Sequence, residues 1–499
     1  MSTTTGTVVQ AGHHIGGRSV EGVGGETFES RNPAHHQEVV GVFARGGAED
    51  VERAVVAAAG AFEGWRRTPW PARGEIILRA GQLLEERKEE LARLMTREMG
   101  KVLVEARGDV QEGIDMAKYI AGEGRRAYGE TVPSELRDKF CMTMRQPLGV
   151  VGVITPWNFP IAIPTWKLFP ALMAGNAVVF KPAEDTPSCA LRLVEILEEA
   201  GLPAGVVNIV FGYGTEAGEA VLRHPGIAGI SFTGSVPTGR HVAEVCATQL
   251  KRCSLELGGK NAIVVMDDAD VALAVDGALW GAFGTSGQRC TASSRLVVQQ
   301  SALPDFTAQL LTRAAALRLG DGLDQDVDVG PVINEKQLRR IHGYTDVARQ
   351  EGADVAIGGE IAGGALADGW FYQPTILTGV RSTMRVAQEE IFGPTTAILP
   401  VADFEEALQV ANSTGYGLSL SIYTRDLRTA FSAIDRLQAG IVYVNAPTIG
   451  AEIQLPFGGV KNTGNGHREA GSVALDQFSE WKSVYIDYSG HLQRAQIDV

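Results

Sequence analysis

The chain has 499 residues, which is enough for two or more domains, and its 44% hydrophobic and 21% charged residues are typical of globular proteins. Its 45 Lys and Arg against 59 Asp and Glu give a formal charge of -14, which disfavours binding to nucleic acid or to an anionic membrane surface. There is no N-terminal basic and apolar signal pattern and no apolar run long enough to span a membrane, so we expect a cytoplasmic protein.

The five cysteines are an odd number without close spacing, which favours reduced thiols over a disulfide framework or a zinc site. The adjacent pairs His13-His14 and His35-His36 lie among glycine and polar residues. We expect both pairs on solvated loops, and the sequence predicts no metal site.

From Ala48 to about Arg126 the apolar residues recur at intervals of three and four, which predicts helices. The stretch 128–146 breaks this period and alternates weakly. It is typical of an extended hairpin or arm that crosses between domains.

Apolar strands alternate with helical patterns over the next hundred residues. The strands begin near Leu148, Ala177, Val206 and Ile227. Such alternation predicts a doubly wound parallel sheet, in which ligands collect at the carboxyl ends of the strands. Trp157 and Asn158 follow the first strand, and Lys181 and Glu184 follow the second, although two solvated charges explain the last pair equally well.

Two glycine-bearing turns are candidates for binding a phosphate. Gly212-x-Gly214-x-x-Ala217 nearly matches the dinucleotide fingerprint, but no acid completes it, and a tight structural turn explains these glycines better. Gly234-Ser235 is an equally plausible site, because a hydroxyl and free backbone amides face an anion at a helix N-terminus.

A second α/β series follows Leu255-Glu-Leu-Gly-Gly-Lys260, with strands near Ala262, Leu296, Thr396 and Gly440. The change between the two units falls near Gly258. The C-terminal stretch 481–488 alternates like an edge strand.

Cys290 lies in a small loop of this second series, between a helical pattern and an apolar strand. Gly287 precedes it, Arg289 is its neighbour, and no bulky residue follows until Leu296. A cation beside a cysteine favours the nucleophilic thiolate. The alternative is a buried structural cysteine, which the loop alone does not exclude.

Seven motifs, found in order over nearly the whole chain, resemble those of a known protein family. They are Pro156-Trp-Asn-Phe-Pro160, Lys181-Pro-Ala-Glu184, Phe232-Thr-Gly-Ser235, Leu255-Glu-Leu-Gly-Gly-Lys260, Gly287-Gln-Arg-Cys290, Glu389-Glu-Ile-Phe-Gly-Pro394 and Pro456-Phe-Gly-Gly459. Together they resemble the signature set of the NAD(P)-dependent aldehyde dehydrogenase superfamily. The resemblance implies two Rossmann-like α/β domains and a small β oligomerisation arm.

The resemblance also implies the catalytic roles. Cys290 would be the nucleophile that forms a thiohemiacetal and a thioester, and Glu256 the base that activates water to hydrolyse it. The Asn158 amide and the Cys290 backbone amide would form the oxyanion hole, and Lys167 would belong to the supporting proton network.

The implied cofactor is NAD, with NADP less preferred because Glu184 would repel a 2′ phosphate. Lys181 and Glu184 would hold the adenosine ribose, Gly234 and Ser235 the pyrophosphate, and Glu390 with Phe392 the nicotinamide ribose. The complete implied cofactor set is Ile154, Thr155, Pro156, Trp157, Lys181, Ala183, Glu184, Gly214, Phe232, Thr233, Gly234, Ser235, Leu257, Glu390 and Phe392.

Family architecture implies the domain boundaries and the partners. Residues 1–127 and 150–258 would form the dinucleotide-binding domain, 259–473 the catalytic domain, and 128–149 with 474–499 the oligomerisation arm and tail. Edge strands of the arm would pair with another subunit in a homodimer or homotetramer.

The sequence says least about which residues bind the substrate. Phe159, Trp166 and Phe457 match positions that line the family's substrate tunnel, and Arg289 either supports its loop or grips a substrate carboxylate. The stretches 445–459 and 485–498 are most similar to bacterial and archaeal enzymes for semialdehydes of the 2-oxoglutarate kind. A broad-specificity aliphatic or aromatic aldehyde dehydrogenase is the alternative.

Three further possibilities stay open at this point. A CoA-acylating semialdehyde dehydrogenase is compatible with Gly-Gln-Arg-Cys, but such relatives generally lack the acid at Glu256. A cysteine hydrolase needs a histidine to activate the thiol, and none lies in the motifs. A non-enzymatic protein on the same fold is disfavoured by the intact Cys290, Glu256 and Asn158.

Overall fold

A computed structural model describes residues 8–127 and 129–497. Its strands are β1 (Val9–Ala11), β2 (His13–Ile15), β3 (Arg18–Val20), β4 (Thr27–Arg31), β5 (Val39–Ala44), β6 (Thr131–Pro133), β7 (Lys139–Pro147), β8 (Val150–Ile154), β9 (Ala177–Lys181), β10 (Val207–Ile209), β11 (Gly229–Gly234), β12 (Arg252–Leu257), β13 (Asn261–Val265), β14 (Ser293–Gln299), β15 (Asp354–Ile357), β16 (Thr375–Thr378), β17 (Thr395–Val401), β18 (Tyr416–Gly417), β19 (Ser419–Tyr423), β20 (Ile441–Val444), β21 (Val460–Lys461) and β22 (Ser479–Asp487).

The helices are α1 (Ala48–Arg67), α2 (Trp70–Glu86), α3 (Lys88–Met99), α4 (Leu103–Glu123), α5 (Ala162–Ala174), α6 (Pro187–Glu199), α7 (Glu219–Arg223), α8 (Val236–Thr248), α9 (Val271–Phe283), α10 (Leu303–Ala315), α11 (Glu335–Gln350), α12 (Arg385–Gln388), α13 (Phe404–Asn412), α14 (Leu427–Arg436) and α15 (Ala474–Gln477). A π-helical turn, Gly214–Gly218, precedes α7, and short 3₁₀ turns lie at Gly284–Gly287 and Gly364–Leu366. Within the described residues, no helix is long and apolar enough to cross a membrane.

The first seven-stranded sheet has the order β12-β11-β8-β9-β10-β2-β3. The strands from β12 to β10 are parallel, whereas β2 and β3 add antiparallel at the edge. Every residue of β8 and β9 is buried, as expected for apolar strands covered by helices on both faces. The chain runs outward from β8 to β9 and β10, and then returns to the other side of β8 with β11.

The second seven-stranded sheet has the order β15-β16-β17-β14-β13-β19-β20, and only β15 is antiparallel. In sequence order, the last strand of the first sheet is β12 (Arg252–Leu257), and the first strand of the second sheet is β13 (Asn261–Val265). The change between the two sheets therefore falls on Gly258–Lys260, where the apolar pattern of the sequence changes.

The predicted helical segment forms α1 to α4, and the last of these ends at Glu123. Two of the periodic apolar residues, Ile77 and Leu84, are fully buried in the same core cluster as Phe180 of β9. Their spacing therefore covers one face of the first sheet and places α4 beside α5, which carries Lys167.

The predicted arm is a three-stranded antiparallel sheet of order β22-β7-β6. Strand β22 pairs with β7 over nine residues, from Ser479 opposite Pro147 to Asp487 opposite Lys139. Trp481 and Tyr485 on β22 are exposed. Tyr128, at which the predicted arm begins, and residues 498–499 of the predicted tail lie outside the described residues.

The prediction of a solvated loop is wrong for His13 and His14. Both residues are buried in β2, and His14 lies opposite Ile209 of β10. The Nδ1 atom of His13 accepts a hydrogen bond of 3.2 Å from the Phe211 backbone N–H. Burial lowers the pKa of His13 below its ordinary value.

Candidate active site

A crevice opens at the carboxyl ends of β8 and β11, where the strand order of the first sheet reverses. Ligands of doubly wound sheets bind at such switch points. A cavity of about 630 Å³ lies there. It is lined by Pro156, Trp157, Asn158, Ile163, Thr233, Gly234, Ser235, Leu257, Gly258, Cys290, Gln337, Arg340, Glu390 and Phe392. We call it the nucleotide-side cavity.

Helix α8 points its N-terminus at this cavity. Ser235 caps the helix, and its Oγ accepts a hydrogen bond from the Thr238 backbone N–H at 3.5 Å. Gly234 and Ser235 therefore lie where free backbone amides and the helix dipole favour an anion. Gly214, in contrast, begins the π-helical turn after β10 and does not line the cavity.

Lys181, the last residue of β9, forms an ion pair of 2.9 Å with Glu184. The Lys181 side chain is 4% exposed and that of Glu184 is 36% exposed, so the carboxylate faces the open side. The Thr155 N–H donates to the Lys181 carbonyl at 3.3 Å. The remaining predicted residues, Ile154, Ala183 and Phe232, are buried, with Ile154 and Phe232 opposite each other on β8 and β11.

Glu390 and Phe392 close the opposite wall. Glu390 accepts a hydrogen bond of 2.9 Å from the Gly259 backbone N–H, and burial raises the pKa of this carboxyl. Phe392 has a φ of +60°, uncommon for a side chain of this size, and its ring meets the Trp157 indole edge-on at 5.4 Å. The rings of Trp157 and Phe392 thus form part of the wall of the cavity that Cys290 also lines.

The loop that carries Cys290 has three consecutive residues in the left-handed region, Thr285, Ser286 and Gly287, with φ of +52°, +54° and +67°. Glu105 of α4 holds this loop. Its carboxylate accepts hydrogen bonds from the Thr285 backbone N–H at 2.7 Å and from Arg289 at 3.2 Å. Backbone strain at a non-glycine residue persists only when surrounding contacts hold the residue in place. Here the contacts with Glu105 hold the loop and so fix the position of Cys290.

The downstream side of the loop is held by Asn261. Its Nδ2 donates to the carbonyl of Cys290 at 2.7 Å and to that of Ala292 at 3.0 Å. Asn158 reaches the loop from β8, because its Nδ2 donates to the Gln288 carbonyl at 3.0 Å. The side-chain amide of Asn158 therefore lies beside the nucleophile loop, in the cavity that Cys290 lines.

The expectation that Arg289 favours a thiolate at Cys290 is wrong for this structure. The pKa of Cys290 is raised to about 12, mainly by burial and next by the negative charges of Glu390 and Glu256. Arg289 points to Glu105 and Thr285, which explains why it does not offset these effects. These surroundings favour the neutral thiol over the thiolate near neutral pH.

A second cavity of about 610 Å³ lies on the other side of Cys290. It is lined by Glu112, Phe159, Ala162, Ile163, Trp166, Thr233, Glu256, Leu257, Arg289, Cys290, Thr291, Gly450, Ala451, Phe457 and Glu469. All four predicted substrate residues are in this set, and the rings of Trp166 and Phe457 meet edge-on at 5.1 Å. We call it the substrate-side cavity. Cys290 lines both cavities and marks their junction.

Glu256 is a buried carboxyl at the end of β12, and neither of its oxygens has a hydrogen-bond partner. Burial raises its pKa well above the ordinary value, and the negative charge of Glu469 raises it further. Lys167 of α5, which the sequence predicted here, is fully buried, contacts Glu469 and donates to Ser231 at 2.9 Å. The arrangement favours proton exchange at Glu256.

The residues of the site that were missed in the sequence include Glu105, Glu112, Asn261 and Glu469. Only Asn261 follows a motif directly and could have been suspected for that reason. The three acids lie on helical or irregular stretches where a charged residue ordinarily faces solvent. Among the described residues, no histidine lines either cavity, and no cluster of three or more His, Cys, Asp or Glu could hold a metal ion.

The comparisons with known proteins agree with this geometry. Residues 20–484 match the aldehyde dehydrogenase family. The chain is 43% identical over 473 residues to alpha-ketoglutaric semialdehyde dehydrogenase of Bacillus subtilis, covering 95% of this chain and 97% of that one. It is 41% identical over 464 residues to 2,5-dioxopentanoate dehydrogenase of Saccharolobus solfataricus, covering 92% and 96%.

Among solved structures, betaine aldehyde dehydrogenase of Staphylococcus aureus in complex with NAD+ superposes with a TM-score of 0.94. It is 36% identical, and the match covers 97% of this chain and 96% of that one. The chain therefore belongs to the aldehyde dehydrogenase family. By class it is an NAD(P)-dependent aldehyde dehydrogenase, and the predicted fold and family are confirmed.

Proposed function

We propose that this protein oxidises an aldehyde to a carboxylic acid in two covalent stages on Cys290. The observation that carries the proposal is the position of this thiol at the junction of two cavities. The nucleotide-side cavity has the N-terminus of α8 and the Glu390 carboxyl in its lining, which suit a dinucleotide, and the substrate-side cavity contains the unpaired buried carboxyl of Glu256. NAD, when bound, supplies the hydride acceptor.

In the first stage the Cys290 sulfur attacks the aldehyde carbon, and the carbonyl oxygen gains negative charge. The Asn158 amide and the Cys290 backbone N–H stabilise that charge. Loss of hydride from the adduct leaves a thioester on the sulfur. Because the pKa of the Cys290 thiol is raised, its proton passes to water or to the Glu256 carboxylate, which lines the same cavity, as the sulfur attacks.

In the second stage Glu256 takes a proton from water, which attacks the thioester carbon and releases the acid. Both Glu256 oxygens are free to accept that proton, and burial raises the pKa of this carboxyl toward that of an effective base. Lys167 and Glu469 offer the next positions for the proton, since they are in contact with each other and the charges of both act on Glu256. A CoA-acylating enzyme has no need of such a base.

Absorbance of NADH tests the reaction. The purified protein with NAD and a short aldehyde should form NADH and the acid in equal amounts, whereas Cys290→Ala should form neither while still binding NAD. Acid release without NADH would favour a cysteine hydrolase instead.

For the substrate we propose a semialdehyde that bears a distal carboxylate. Support comes from Arg289, which lines the substrate-side cavity together with Phe159, Trp166 and Phe457, and from the names of the two relatives. Arg289 also supports its loop, so both of the roles considered for it are compatible with its position. An acidic aldehyde should be preferred to its uncharged analogue, and Arg289→Met should remove most of that preference.

We propose a preference for NAD over NADP. The half-exposed Glu184 carboxylate would accept hydrogen bonds from a ribose 2′ hydroxyl and repel a 2′ phosphate. Lys181 reduces the effect, because it neutralises part of that charge at 2.9 Å.

The assembly and the domain division remain proposals. Residues 1–127 and 150–258 would bind the dinucleotide, 259–473 would carry the nucleophile, and 128–149 with 474–499 would form the arm and tail. The exposed Phe140, Trp481 and Tyr485 of the arm support pairing with another subunit in a homodimer or homotetramer. We place this assembly in the cytoplasm, and light scattering would measure its mass.

A further inference from the structure

Glu112 of α4 is an acid in the substrate-side cavity to which the two-stage chemistry gives no role. It is half-buried, and within the described residues its carboxyl makes no hydrogen bond or ion pair. The other acid from α4 at this site, Glu105, is committed to the nucleophile loop. A half-buried carboxyl without a partner beside a reaction cavity is available to a ligand.

Glu112 lines both the substrate-side cavity and a surface depression next to it. This depression shares Glu112 and Ala451 with the substrate-side cavity, and its lining includes the charged residues Asp115, Lys118 and Arg126. An aldehyde that enters by this depression passes Glu112 before it reaches Cys290.

Arg289 lines the same cavity, and part of its guanidinium already makes hydrogen bonds. Its Nε donates to Thr285 at 3.0 Å, and its Nη2 donates to Glu105 at 3.2 Å. The remaining Nη1 makes no hydrogen bond with the described residues and is the group that a ligand carboxylate could use. A second ionised acid close to this guanidinium would compete with that ligand.

The charged groups that face Glu112 come from several elements. Asp109 and Asp115 lie on its own helix, Lys101 precedes that helix, Arg289 belongs to the nucleophile loop, and Tyr443 belongs to β20. The pKa of Glu112 is raised to about 7, mainly by burial and next by the charge of Asp109, while the charge of Arg289 opposes the shift. Glu112 thus changes its charge within the physiological range of pH.

We propose that Glu112 is a specificity-determining residue that admits a distal carboxylate of the substrate only when Glu112 is protonated, donating a hydrogen bond to that carboxylate beside Arg289. The inference rests on the proposed substrate class and deepens it. When Glu112 is ionised, the substrate carboxylate meets a like charge in a cavity of low polarity, where repulsion is strong. When it is protonated, the two oxygen atoms share one proton and the repulsion is gone.

The pH dependence follows from this exchange. The protonated fraction of Glu112 falls about tenfold per pH unit above its pKa. The KM for an acidic aldehyde should therefore rise by up to about tenfold per unit above about pH 7, relative to the KM for an uncharged aldehyde. Dividing one KM by the other cancels the titration of Cys290, Glu256 and Glu469, which both substrates experience.

The experiment compares a short aldehyde that bears a terminal carboxylate with its uncharged primary amide of equal length, at saturating NAD, between about pH 6 and about pH 9. For the unmutated enzyme we expect the ratio of KM values, acid over amide, to rise with pH. Glu112→Gln keeps a neutral hydrogen-bond donor and should make the ratio independent of pH. Asp115→Asn removes a charge one turn further along the same helix and should keep the slope.

Each outcome is decisive. If the unmutated enzyme prefers the acid to the same extent at every pH, this inference alone is wrong. It is also wrong if the KM ratio of the Glu112→Gln variant still rises with pH. If the acid is not preferred at any pH, the proposed substrate class fails and takes the inference with it. Because the slope of the unmutated enzyme is itself a test, the inference stays open to refutation even if a variant folds poorly.

Discussion

Gly287→Ala tests the geometry of the nucleophile loop most directly. An added methyl group at Gly287 would lie 2.1 Å from the carbonyl oxygen of Gly393 and 3.0 Å from that of Ala282, and both are backbone atoms that cannot rotate away. The residue has a φ of +67°, which costs an L-residue about 1–2 kcal/mol. Relief of the clash requires movement of the loop, which adds about 1–3 kcal/mol.

The same movement should reduce catalysis. Gly287 precedes Cys290 by three residues, and Gly393 follows Phe392, so a shift at their contact displaces the thiol relative to the wall of the nucleotide-side cavity. A misplacement of about 1 Å can cost about a hundredfold in rate. We therefore expect kcat/KM to fall about a hundredfold or more, while the protein remains folded.

Gly364→Ala is the matched control. Gly364 has a φ of +64°, and a methyl group there would have no atom within 4 Å. It carries the same backbone strain without the clash, so the difference between the two variants isolates the contact with Gly393. NADH formation and thermal unfolding would be measured for both. If Gly287→Ala matches Gly364→Ala in rate and melting temperature, the loop is not held as described.

The Glu256→Gln variant should form about one NADH per active site in a burst and then turn over much more slowly, because hydride transfer precedes the attack of water. If stopped-flow absorbance shows an unchanged steady-state rate, Glu256 is not the base. Glu184→Ser should narrow the gap in kcat/KM between NAD and NADP, and equal efficiency with both in the unmutated enzyme would contradict the proposed role. The buried amine of Lys260 has no hydrogen-bond partner, and burial lowers its pKa to about 7. The unfolded chain then binds more protons between about pH 7 and about pH 10.5, so this residue makes stability rise with pH in that window. The Lys260→Met substitution should raise the free energy of unfolding by about 1–3 kcal/mol near pH 7 and by less toward pH 10, as measured by thermal unfolding. If the difference in stability between the variant and the unmutated protein is the same across this pH range, the pKa of Lys260 is not lowered as described.

The sequence by itself determined the family, the doubly wound sheets and the placement of polar residues at strand ends. Strands such as Val150–Ile154 are apolar throughout because helices cover both faces, and this pattern is local. The motif that ends at Cys290 is local as well, since the turn needs Gly287 at a positive φ. Features of this kind depend on a few consecutive residues and can be recognised in a sequence.

The tertiary structure decided everything that depends on contacts between distant segments. Glu469 meets Lys167 across 302 positions of the chain, and Glu105 reaches Thr285 across 180, so neither acid carries a local sign of its role. The side-chain direction of Arg289 was equally hidden, because the sequence shows that it is adjacent to Cys290 but not that it points to Glu105. His13 lies among polar residues in sequence and is buried only because β2 adds to the edge of β10. Burial and the sum of nearby charges set each pKa in the site, and both exist only once the segments have packed together.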